Sequence, residues 1–155
     1  MADNNRATSD DSLIKGKLAT EAMPKVYVEP CETEFFYEKF KQSYPMFKNP
    51  RGLCLIVNIY QIDGMPPRRW SNRDTESLRQ LFEQLLFTVK TYTDSTHDLR
   101  RDSFKKIVKD FSEMPEHEDA QSCVICLMSH GEEGYLTTKE GDKVNFSIFF
   151  ILFNI

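Results

Sequence analysis

The stretch Cys123-Val124-Ile125-Cys126-Leu127-Met128-Ser129-His130-Gly131 constrains this chain more than any other. Six apolar or soft residues run without helical spacing into Ser, His and Gly, the pattern of a strand buried on both faces. A similar run, Leu53-Cys54-Leu55-Ile56-Val57-Asn58-Ile59-Tyr60, lies upstream. Between them come a helical pattern, an alternating strand over residues 87–92 and a second helical pattern. In the first helix Leu78, Leu81, Phe82, Leu85 and Leu86 share one face, and Ser71 or Asn72 is the expected cap. In the second, Leu99, Phe104, Ile107, Val108 and Phe111 form the buried face, Thr96 is the expected cap and Pro115 the stop. A β-α-β-α-β order implies an α/β fold whose strands are mostly parallel and flanked by helices, with three core strands. Residues 135–138 and 143–144 add a small hairpin.

Parallel strands place their carboxyl ends on one edge, where chemistry collects in open sheets. The loop after the first strand holds Arg68 and Arg69, and the loop after the third holds His130 and Gly131. Both are expected over one rim. His130 supplies an acid/base, and Gly131 lets the backbone turn sharply and present its N–H. A guanidinium nearby can fork onto a ligand carboxylate. The imidazole and the backbone donor are half of an acyl-transfer site, and the other half needs a nucleophile.

The 155 residues allow one domain, and a net charge of −4 excludes a nucleic-acid footprint. The acidic, polar start has no apolar signal region, and no stretch is long enough to span a membrane, so a reducing, cytoplasmic setting with free thiols is expected. Of Cys31, Cys54, Cys123 and Cys126 the last two spell C-x-x-C. On a strand those side chains face opposite ways, so neither a metal site nor a disulfide is expected, and the last three cysteines read as buried and inert. No cofactor is implied.

Several stretches resemble the large-subunit half of a caspase, the aspartate-directed cysteine endopeptidases of apoptosis. They are residues 51–58 (RGLCLIVN), Met65-Pro66-Pro67-Arg68, residues 74–78 (DTESL), 81–85 (LFEQL), Phe87-Thr88-Val89 and, most specifically, Ser129-His130-Gly131-Glu132-Glu133-Gly134. The likeness runs in order from residue 44 to 144. It implies His130 as the catalytic histidine, Gly131 as the oxyanion donor and Arg68 as the grip on the substrate aspartate. It also implies protein substrates with aspartate before the scissile bond and a caspase dimer partner. Two departures stand out. The family's nucleophile lies in a Gln-Ala-Cys-x-Gly motif roughly 40–50 residues after the histidine, whereas no cysteine follows His130 here. Trp70 stands where the family has Gly, which bears on the arginine loop and offers Arg69 as a rival to Arg68.

The expected organisation is a disordered, prodomain-like region at 1–43, a truncated large-subunit-like domain at 44–145 and an apolar tail at 146–155 that does not belong to it. The short lead-in resembles an executioner prodomain, with Asp10 or Asp11 as the removal site. The chain alone is expected to be inactive. The alternatives are a non-catalytic decoy or regulator that pairs with a full-length caspase and, last, a flavodoxin-like binding domain, for which no Gly-rich phosphate loop is present.

Overall fold

The computed structural model describes residues 25–31, 37, 44 and 46–153. Asp10 and Asp11, and most of the aromatic lead-in over residues 34–44, lie outside them.

Three parallel strands form the main sheet: β1 (Gly52–Asn58), β2 (Phe87–Thr93) and β3 (Ser122–Met128), in the order β2-β1-β3. Helix α1 (Ser71–Gln84) links β1 to β2, and α2 (Arg101–Ser112) with a short 3-10 turn (Pro115–His117) links β2 to β3. A second sheet of β4 (Gly131–Glu132), β5 (Tyr135–Thr137) and β6 (Lys143–Asn145) is antiparallel, and α3 (Ser147–Phe153) follows it. The α/β expectation holds.

Side chains alternate across β1, which makes it the divider between two cores. Leu53, Leu55 and Val57 face Phe104, Val108 and Phe111 of α2. Cys54 and Ile56 face Leu78 and Phe82 of α1 and Leu85 at its C-cap. Every residue of β1 is buried.

The expectation that the Cys123–Met128 run is equally buried is corrected. β3 is an edge strand, half-buried along its length, and Cys123 is exposed. Helices cover both of its faces, which explains its apolar composition, but its outer edge pairs with no strand among the described residues.

Both expected helix caps are also corrected. Trp70 occupies the N-cap of α1 without a side-chain hydrogen bond, and Ser71 is already helical. α2 begins at Arg101, because Thr96 is spent in a turn on Thr93. Glu140, from the loop between β5 and β6, accepts the Arg101 N–H at 2.7 Å instead. Burial raises the Glu140 carboxyl, but hydrogen bonds from the Arg101 N–H, its own N–H and Thr138 outweigh this and hold it below the ordinary range. Leu86 lies beyond α1 at φ 65°, exposed, and is not part of the helix face.

The described part of the apolar segment, residues 146–153, does not hang free. Over Ser147–Phe153 it forms α3, whose Ile148, Phe149, Leu152 and Phe153 pack on the α2-side core. Phe150 and Ile151 remain exposed.

Candidate active site

β1 is where the strand order reverses: the chain leaves it for β2 on one side and returns to β3 on the other. The crevice beside such a point is the favoured ligand position in open α/β sheets. The loops after β1 and β3 both rise there, as the sequence predicts. The Ile59 N–H donates to the Met128 carbonyl at 2.8 Å, so the two strand ends stay joined to the rim.

From β3, His130 places its Nε2 3.2 Å from the carbonyl oxygen of Pro66, in the loop after β1. A carbonyl only accepts, so this contact puts the proton on Nε2 and leaves Nδ1 as the basic nitrogen. Pro66 is therefore a positioning residue, two places before Arg68, and sequence reasoning missed it because the contact uses its backbone.

Gly131 opens β4 opposite Leu136. The Thr137 N–H donates to the His130 carbonyl at 2.9 Å, which makes Gly131–Leu136 a non-hydrogen-bonded pair and turns the Gly131 N–H away from β5. A Cβ at this position would sit 2.7 Å from the Tyr135 carbonyl oxygen, so only glycine fits.

Arg68 is half-buried, and Arg69 is exposed. The Arg68 Nη1 donates to Asn58 Oδ1 at 3.0 Å and to the Ile59 carbonyl at 3.4 Å. Burial lowers its proton affinity below the ordinary guanidinium range, with Asp74 and Asp94 opposing that shift. These contacts separate the anchored Arg68 from its neighbour. Asn58 is fully buried at the end of β1, and its Nδ2 also donates to Asn72 Oδ1 at 3.2 Å. One amide thus ties the arginine loop to the first turn of α1. The signal for Asn58 is visible as the single amide inside the run from Leu53 to Tyr60.

Trp70 turns the arginine loop into α1 at φ 76° and ψ −12°. This is left-handed backbone, the region that favours glycine. Its ring is exposed and lies 4.9 Å from the Arg73 guanidinium.

Neither β1 nor β3 places a thiol on the rim. Cys54 is fully buried within β1 and hydrogen-bonds Cys126, which raises the Cys54 thiol and lowers that of Cys126. Cys126 lies mid-strand, and partial desolvation of the sulfur pushes the Cys123 thiol up to about 11 although the residue as a whole is exposed. Val124, Cys126 and Met128 pack on the α1 side while Ile125 and Leu127 pack on the α2 side, so the C-x-x-C pair faces opposite ways. Among the described residues no His, Cys, Asp and Glu cluster could hold a metal, and no helix is long and apolar enough to cross a membrane.

A family model described as "Caspase domain" matches residues 51–155. The chain is similar to Caspase-2 of Gallus gallus, 29% identical over 130 residues that cover 82% of this chain and 30% of that protein. It is similar to Caspase-1 of Drosophila melanogaster, 30% identical over 145 residues, 90% of this chain and 42% of the relative. Among solved structures, that of pro-sf-caspase-1 aligns with a TM-score of 0.62 at 24% identity, covering 71% of this chain and 45% of that one. The chain thus spans less than half the length of these relatives.

Proposed function

This chain belongs to the caspase family, and from that premise we propose that it carries the arginine–imidazole half of a cysteine endopeptidase site that cuts proteins after aspartate, in regulated proteolysis and cell death. The observation that carries the reading is the His130–Pro66 contact, because it joins the imidazole to the loop that anchors Arg68. In this reading Arg68 holds the substrate aspartate. His130 Nδ1 takes the proton of an attacking thiol and returns it to the leaving amine. The Gly131 N–H stabilises the oxyanion that forms when sulfur adds to the carbonyl. In this reading the thiol comes from outside the 155 residues: no cysteine follows His130, and Cys54, Cys123 and Cys126 lie within strands.

Residues 44–145 are then the large-subunit-like unit of the site, preceded by a prodomain-like region. The 155-residue chain by itself binds an aspartate peptide without cleaving it. The test is NMR titration with a short peptide carrying aspartate, against the same peptide carrying asparagine, together with a fluorogenic assay after aspartate. Shifts at His130 and Gly131 that require both the aspartate and Arg68 support the proposal. Equal response to asparagine refutes the role of Arg68. Turnover abolished by His130→Ala refutes the missing nucleophile.

A second reading, a decoy that pairs with a full-length caspase, is favoured by the unpaired outer edge of β3 among the described residues. Co-purification with such a protease and a change in its rate would support it. A monomer without effect would remove it.

A further inference from the structure

Asp94 follows β2 directly and is half-buried. β1 and β2 run in register up to the pair Asn58–Thr93, so Asp94 stands level with the first residue of the arginine loop. Its N–H donates to the Asn58 carbonyl at 3.3 Å. Its Oδ2 accepts the Gln61 N–H at 2.7 Å. One residue thus grips the chain on both sides of the point where it leaves the sheet.

The grip passes along the loop to Arg68. Gln61 Nε2 donates to the carbonyls of Ile62 and Met65, each at 3.1 Å. The Met65 N–H donates to the Ile62 carbonyl at 3.1 Å, and the Arg68 N–H closes the loop on the Tyr60 carbonyl at 2.9 Å. Gln61 is therefore the knot of this segment. Its side chain folds the loop as far as Met65, and its N–H ties the fold to the end of β2.

Asp94 also bears on the charge of Arg68. Asn58 serves both residues: its backbone carbonyl takes the Asp94 N–H, and its side chain takes the guanidinium. The guanidinium is held by the neutral oxygens of Asn58 and Ile59. Burial lowers its proton affinity, and the charges of Asp74 and then Asp94 work against that. A guanidinium held by neutral oxygens keeps its charge for an incoming carboxylate, while an acid fixed nearby weakens the attraction that the carboxylate feels.

We propose that Asp94 is a positioning residue of the arginine rim: its carboxylate fastens the Arg68 loop to β2 and tempers the positive charge that a substrate aspartate meets. The tempering rests on the reading of Arg68 given above; the fastening does not. Two substitutions part the roles. An amide oxygen still accepts the Gln61 N–H but carries no charge, so Asp94→Asn removes the tempering alone. Asp94→Ala removes both.

The 155-residue chain and the two variants are compared by amide exchange at Gln61 and by NMR titration with the short aspartate peptide and its asparagine counterpart, at low and high salt; thermal melting checks that each is folded. Asp94→Asn is expected to keep slow exchange at Gln61 and to bind the aspartate peptide about 2–5-fold tighter at low salt, a gain that shrinks at high salt. Its response to the asparagine peptide should not change. Asp94→Ala is expected to lose slow exchange at Gln61 and to bind the aspartate peptide more weakly than Asp94→Asn does. Selectivity for aspartate that is present but unaltered by Asp94→Asn overturns the tempering. Slow exchange at Gln61 that survives Asp94→Ala overturns the fastening. If none of the three chains prefers aspartate to asparagine, the reading of Arg68 fails, and exchange at Gln61 still decides the fastening.

Discussion

Replacing Trp70 by glycine and by alanine separates two effects that the parent residue combines. The backbone at this position is left-handed, φ 76° and ψ −12°. An L-residue held there costs about 1–2 kcal/mol because its Cβ crowds the carbonyl. Glycine avoids that cost but loses about 0.5–1 kcal/mol through its freer unfolded chain. The difference leaves Trp70→Gly more stable than Trp70→Ala by about 0.5–1 kcal/mol. Both variants lose the ring contact with Arg73 at 4.9 Å, which at an exposed position contributes about 0.5–1 kcal/mol. The alanine variant is therefore expected below the parent and the glycine variant close to it. Urea melts with equal slopes report the difference, and a thermal midpoint gap of about 1–4 °C should accompany it. Lys106, exposed on α2, is the control; there glycine should be worse than alanine by about 1 kcal/mol. Alanine equal to or better than glycine at position 70 would refute the argument, because it would mean that the loop is not held in the left-handed region.

Asn58→Ala removes the acceptor of Arg68 and the donor to Asn72 at a fully buried point, so a loss of about 2–3 kcal/mol is expected in urea melts; a loss below about 0.5 kcal/mol, the scale of a surface change, would refute the anchoring role. Hydrogen bonds from Arg79 and then Gln80 hold Glu76 down to about 2 from its ordinary 4.5. A depressed carboxyl stabilises the fold above its unfolded pKa and loses that contribution as pH falls through its folded pKa. Glu76 therefore adds acid sensitivity between pH of about 4.5 and 2, worth under about 1 kcal/mol after solvent screening; thermal melts of Glu76→Gln should fall less steeply over that window, and parallel curves would refute it. Cys54, fully buried with its thiol raised, should resist alkylation until the chain unfolds, whereas Cys123 on the exposed edge should label in the native state faster as pH rises toward about 11; mass spectrometry after a pH series checks the order.

What the sequence disclosed and what it concealed divide along local and non-local lines. The apolar run through β1 and the helix periods of α1 and α2 are local signals, and they placed three parallel strands and brought Arg68 and His130 to one rim. Trp70 was also legible, because a bulky residue in a glycine position announces a backbone problem, and the structure shows that the backbone kept the glycine conformation. The rank of β3 was not legible. Helices cover both faces of an edge strand as they cover a central one, so apolar content reports the faces and says nothing of the missing in-plane neighbour. Nor was the cap of α2: Thr96 is a good local candidate, but the partner is Glu140, 39 residues downstream from Arg101. The segment behind α3 carries no phase at all. Phe, Ile and Leu fill nearly every position, so only contact with α2 decides that Ile148, Phe149, Leu152 and Phe153 turn inward while Phe150 and Ile151 stay outside.

The candidate site shows the same division, with a consequence for how it works. The charged and titratable groups are written in the sequence, but what orients them is backbone and amide: the Pro66 carbonyl behind His130, the Asn58 side chain behind Arg68, the β4–β5 register behind the Gly131 N–H. Two of these three supports come from β1 and its loop, and that strand is the most buried element of the fold. The arginine and the imidazole are thus referred to a single rigid strand, which spares a bound carboxylate the cost of ordering them. A support of this kind makes substitutions at Asn58 fall on both groups together, the imidazole feeling the change through the loop that carries Pro66. Loss of the Asn58 amide should therefore shift the His130 resonances as well as weaken the hold on Arg68, and an imidazole indifferent to that change would show that the two halves of the rim are set independently.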